Sequence, residues 1–127
     1  MRALLLLLTL AGCAAAGPIE DSADTAALTR ELSDRVAGEP RDCLSQNQAQ
    51  SLRVVDRRTI VYHAGDTVWV NRLRAECPGL RPHSTLIVET SGSGYCRNDR
   101  IRGVEPGAVI AGPNCLLGDF VPWRRRD

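Results

Sequence analysis

Four cysteines, Cys43, Cys77, Cys96 and Cys115, stand 34, 19 and 19 residues apart, and no two of them form a CxxC. A structural zinc site takes its ligands in pairs two to four residues apart, which these gaps do not supply. A thioredoxin-like redox site needs the missing CxxC. What remains is two disulfides, provided the chain matures in an oxidising compartment. Four cysteines allow three pairings. The favoured one is nested, with Cys77–Cys96 inside Cys43–Cys115, so that the outer bond ties the two ends of the domain together. In the loop-entropy picture the inner bond is worth roughly 3 kcal/mol and the outer roughly 4 kcal/mol. The chain has only one Phe, two Tyr and two Trp for its core, so such cross-links matter more than usual.

The start of the chain speaks to the compartment. One positive charge at Arg2 precedes an apolar run from Ala3 to Ala11. That run is far shorter than the roughly 20 residues that span a bilayer, so it reads as a targeting segment. It closes on Leu10-Ala11-Gly12-Cys13, which resembles the lipobox of bacterial lipoproteins. The resemblance implies removal of residues 1–12 and fatty acylation of Cys13, which becomes the new N-terminus and the membrane anchor. Ala14, rather than an aspartate, implies the outer membrane and its periplasmic face. The rival readings are an ordinary signal cut after Ala16 and a buried N-terminal helix.

The chain from Cys13 to Asp127 holds 115 residues, which suits one domain. It carries 15 arginines, no lysine and 15 acidic residues, a net charge of zero. Nucleic acid is therefore not the expected partner, since its recognition needs concentrated positive charge. The absence of lysine removes Schiff-base and phosphate-loop chemistry.

Residues 13–24 are small and acidic and read as a tether. Over 25–38, Leu28, Leu32 and Val36 recur every four residues, with Asp24 as a cap and Gly38 and Pro40 as a stop. This predicts a short amphipathic helix. From Cys43 onward the texture is that of strands. Thr59–Val70 predicts a hairpin around Gly65-Asp66, and further strands are expected at 85–88, 95–96, 99–102, 108–111 and 118–122. Pro122 marks the last as an edge. The fold class expected is mainly β: a small antiparallel barrel or curled sheet over 43–122, with one N-terminal amphipathic helix and a basic tail at 123–127.

Several pieces resemble a group of small, uncharacterised proteobacterial lipoproteins built from a lipobox and a cysteine-led β domain. They are Cys43-Leu44, Asp56–Val61, Trp69–Leu73, Cys77–Arg81, Tyr95–Ile101 and Cys115–Phe120. The resemblance implies export, anchoring and a single domain, and it brings no catalytic residue.

Direct reading of the side chains gives no catalytic, cofactor-binding or metal-binding residue. His63 and His83 lie in no metal or nucleophile motif and read as exposed turn histidines. Asp56, Asp66, Asp99 and Asp119 stand beside turn signals, where capping explains them. Asn71 reads as a local hydrogen-bonder at a strand end. Arg57, Arg58, Arg72, Arg74, Arg81, Arg97, Arg100 and Arg102 could grip phosphates or carboxylates, or form a salt-bridged face through pairs such as Arg72–Glu76. Trp123, Arg124, Arg125 and Arg126 suit an anionic surface. The functional expectation is a membrane-anchored, non-catalytic binding or structural module of the cell envelope. Its partner would be an envelope protein or an anionic envelope polymer. The alternative is an enzyme acting on an envelope substrate through Asp and Arg groups.

Overall fold

The computed structural model describes residues 19–45 and 52–127. The expected signal segment, Cys13 and residues 13–18 of the expected tether lie outside the described residues. Helix α1 covers Ile19–Leu32. Ten strands follow among the described residues: β1 Arg35–Ala37, β2 Cys43–Ser45, β3 Leu52–Asp56, β4 Thr59–Ala64, β5 Thr67–Arg72, β6 Thr85–Glu89, β7 Gly94–Cys96, β8 Arg100–Val104, β9 Cys115–Leu116 and β10 Phe120–Arg125.

The strands form three antiparallel sheets. One has five strands in the order β1-β10-β5-β4-β3, one pairs β2 with β7, and one runs β6-β8-β9. This corrects the expected barrel or curled sheet. A barrel closes when its outermost strands pair, and β1 and β3 are the two free edges of the large sheet. The alternation of side chains reveals strands but not which edges meet. Here the large sheet stays open and buries both faces against other elements.

The sequence Thr59-Ile60-Val61-Tyr62 shows how. All four residues are buried, as expected of a strand covered on both sides. Ile60 and Tyr62 join Trp69, Phe120, Leu44, Ile101 and Leu117 in a core shared with the small sheets. Val61 joins Val55, Val68, Val70 and Leu28, with Leu32 and Trp123 against them, on the opposite face beneath α1. The expected hairpin is β4–β5, with Ala64 opposite Thr67 and Gly65 at a φ of 58° in the two-residue turn.

Three local expectations are corrected. The helix occupies 19–32 rather than 25–38, so residues 19–24 are helical rather than tether. Acidic residues suit a helix's first turn as well as a tether, and sequence alone does not separate the two. Ser33 closes the helix through its hydroxyl and amide on the Arg30 carbonyl. Val36 then belongs to β1, which β10 holds by pairing. Residues 108–111 form a loop, with Val109 97% and Ile110 81% exposed. The tail is no tail: β10 runs to Arg125 and pairs with both β5 and β1. Pro122 is tolerated there because its carbonyl accepts from Gly38, just past the end of β1. Its nitrogen faces that same side, where no ladder bond is required.

All four cysteines of the domain are bonded, but as Cys43–Cys96 and Cys77–Cys115. The nested pairing is therefore corrected to an interleaved one. Strand register decides it: Cys43 of β2 lies directly opposite Cys96 of β7. Loop-length arguments do not discriminate here, because register is a long-range property.

Candidate functional site

The enzyme alternative requires carboxylates or histidines gathered and available. The described structure engages them in turns and ion pairs, Asp24 and Glu31 sharing Arg53 beside His63. Asp56 accepts a bond from the Arg58 amide at 2.8 Å and so shapes the β3–β4 turn. Asp66 lies in the β4–β5 turn. Asp99 is buried, accepting from the Cys96 amide at 2.7 Å and the Ser91 hydroxyl at 3.3 Å. It closes a turn in which Asn98 takes a left-handed φ of 71°, a role for which short polar side chains are suited. Asp119 pairs with Arg97 at 3.1 Å. His83 sits in an exposed turn at a φ of 68°. His63 differs from expectation. It lies on β4, half-buried, with Nε2 2.5 Å from Oε1 of Glu31, and so links the sheet to α1. Among the described residues, no group of three or more His, Cys, Asp or Glu could hold a metal ion. No described helix is long and apolar enough to cross a membrane.

The arginines divide into two sets. Arg81 is held by Glu105 at 2.8 Å, Arg97 by Asp42 and Asp119, and Arg100 and Arg102 by Glu89. Their charge is spent on surface pairs. Arg57, Arg58, Arg72 and Arg74 have no carboxylate partner among the described residues. They gather at one end of the large sheet. The Leu73 amide donates to the Arg58 carbonyl and the Cys77 amide to the Arg57 carbonyl, both at 2.8 Å. The side chains of Arg58 and Arg74 reach only neutral acceptors, the Leu73 carbonyl and the Asn98 amide oxygen. Arg72 does not reach Glu76; its guanidinium donates to the Thr59 hydroxyl at 3.3 Å. The sequence offered no means of sorting these arginines, because the sorting depends on which acidic residue the sheets bring alongside.

Arg72 also borders a concavity. Between the end of α1 and strands β5 and β10 lies a cleft of about 270 Å³ lined by Leu32, Val70, Arg72, Asp119, Val121 and Trp123. The registers explain it. Val121 lies opposite Val70, and Trp123 opposite Val68 on the same sheet face. Helix α1 lies chiefly against β3 and leaves the β5–β10 side of that face less covered. Trp123 is thus part-buried against the valine cluster rather than a free terminal indole. Arg124 donates to Thr67 and Arg125 approaches Asp34 at 3.9 Å, and the three terminal arginines remain exposed. A second depression, of about 380 Å³, is polar and lined by Ser91, Arg97, Asn98, Asp99 and Arg100 among others. The pairs and turn bonds already described engage these groups. Binding sites are typically concave and mostly apolar with a few placed polar groups. Of these two hollows, which are not the whole set, the cleft at Arg72 has that character.

The chain belongs to a family of unknown function (DUF6491), whose model matches residues 1–122. No curated protein and no solved structure matches it.

Proposed function

We propose that this family member is a lipoprotein of the cell envelope, with residues 1–12 as its signal and Cys13 as its acylated N-terminus. In this reading it is held at the periplasmic face of the outer membrane. Its disulfide-tied β domain serves as a non-catalytic binding or structural module. The partner is an envelope protein or an anionic envelope polymer, and the exposed Arg124, Arg125 and Arg126 add local positive charge toward such a surface. The bonded pairs Cys43–Cys96 and Cys77–Cys115 support an oxidising compartment. The likeness of Leu10–Cys13 to a lipobox supports the anchor. The observation that carries the non-catalytic reading is the engagement of the carboxylates. Asp56, Asp99 and Asp119 are engaged by separate structural partners, and Asp24 and Glu31, which share Arg53, are held by that ion pair; among the described residues none of these is set aside for acid–base work.

The anchor is tested by Cys13→Ser. The wild type should incorporate a fatty-acid probe and partition with membranes. The variant should lose the label and leave an uncut or soluble form. Equal labelling and equal membrane recovery of the two would refute the anchor.

A further inference from the structure

We propose that the cleft between α1, β5 and β10 receives the aliphatic chain of a phosphate-headed amphiphile, with Arg72 at its mouth holding the head. The inference rests on reading the domain as a non-catalytic binding module, and it names the ligand class. Leu32, Val70, Val121 and Trp123 supply the walls. At about 270 Å³ the cleft exceeds the roughly 150 Å³ that holds benzene and falls just short of the roughly 300 Å³ of drug-sized sites. It suits one chain end, and it is too small for a partner's helix.

The charge at the rim selects the head. Arg72 and Asp119 are the ionised groups in the lining. Asp119 is paired from outside with Arg97 at 3.1 Å, a guanidinium it shares with Asp42. Arg72 meets only the neutral Thr59 hydroxyl. In the lining, Arg72 is therefore the guanidinium left without a carboxylate among the described residues. Arg57 and Arg58, in the turn adjoining Thr59, also lack carboxylate partners among the described residues, although Asp56 shares that turn. A planar guanidinium fork matches phosphate oxygens, and neighbouring cations strengthen the field there. The registers set the direction. Arg72 stands two residues beyond Val70 on the same face of β5, and Trp123 lies further down the cleft along β10. A bound chain would run from Arg72 over the Val70–Val121 pair toward Trp123.

Trp123 is thus a built-in reporter. The test uses the full chain as recovered from membranes, carried in a non-ionic, phosphate-free amphiphilic polymer, and titrated with water-soluble probes while tryptophan fluorescence is followed. Hexyl phosphate carries chain and head, hexyl glucoside the chain alone, and inorganic phosphate the head alone. Hexyl phosphate should bind at least about tenfold more tightly than either of the others, with a signal that disappears in Trp123→Phe. Arg72→Gln should weaken it about tenfold or more, the worth of a charged hydrogen bond. Arg102→Gln, in the Glu89 pair, should leave it unchanged. Equal binding of hexyl glucoside and hexyl phosphate would overturn the inference while leaving the binding-module reading intact, and so would an unaltered Arg72→Gln. Release of inorganic phosphate from hexyl phosphate would instead overturn the non-catalytic reading.

Discussion

Two buried polar residues in the same molecule lead to opposite expectations. Asn71 is fully buried, and its amide donates to the Gly118 carbonyl at 2.8 Å while its oxygen accepts from the Gly118 amide at 3.0 Å. This bond spans 47 residues, so it is not the local strand-end contact that its sequence setting suggests. It pins the approach to β10 against the end of β5. The fit also needs glycine, since a Cβ at residue 118 would lie 1.9 Å from the Arg72 carbonyl. Asn71→Ala leaves two buried backbone groups unpaired, each costing about 1–3 kcal/mol. A loss of about 2–6 kcal/mol in urea unfolding is expected. Tyr62 is the converse. Its ring packs against Tyr95 and Phe120 at 5.8 Å between centroids. Its hydroxyl is buried without a hydrogen-bond partner among the described residues. Burial, with Tyr95 and Asp99 adding to it, pushes that hydroxyl well above the ordinary tyrosine range, so it stays neutral. Tyr62→Phe removes only the unpaired oxygen. It should leave stability unchanged or raise it by up to about 1 kcal/mol. A loss above about 1 kcal/mol in the same assay would show that the hydroxyl is satisfied after all.

At the scale of elements, periodicity disclosed what each segment is and not what it lies beside. The β4–β5 hairpin was legible because its partner lies two residues away across Gly65-Asp66. The disulfides were legible as a pair of bonds but not in their connection, because β2 meets β7 across a separation of 53 residues. Arg35-Val36-Ala37 continues a helical spacing from Leu28 and Leu32, yet pairing with β10 claims it for a strand. The same pairing turns the apparent basic tail into an inner strand. Trp123 accordingly contributes to the cleft rather than to a frayed end. Non-reducing peptide mapping should return Cys43–Cys96 and Cys77–Cys115, and recovery of a Cys77–Cys96 peptide would contradict the register of β2 with β7. The bonds close loops of 53 and 38 residues. Loop entropy gives each a ceiling of about 4 kcal/mol. Replacing either pair by serines should cost up to that amount, with the larger relative loss for Cys77–Cys115, since Cys77 is fully buried in the main core.

Among the described residues, the large open sheet carries a cluster on each face, and this arrangement predicts how the domain unfolds. The main core joins the sheet to the smaller sheets through Tyr62, Ile101 and Phe120. The second cluster joins it to α1 through Leu28, Val55 and Val61. Both depend on the same strands, because adjacent residues of β4 face opposite ways. Neither cluster can persist once β4 and β5 separate. The prediction is a single cooperative transition with the disulfides intact. The chain carries its own probes, one on each face: Trp69 in the main core and Trp123 beneath α1. With Trp123→Phe and Trp69→Phe as single-reporter variants, each fluorescence midpoint should coincide with the far-ultraviolet circular dichroism midpoint of the same variant. Leu28→Ala, which empties a buried position on α1, should cost about 2–4 kcal/mol. Because the faces are coupled, it should lower the midpoint seen by Trp69 as much as the one seen by Trp123. A shift confined to Trp123 would mean that α1 and its cluster open separately from the sheet, and the cleft at Arg72 would then be a feature of a loosely held face.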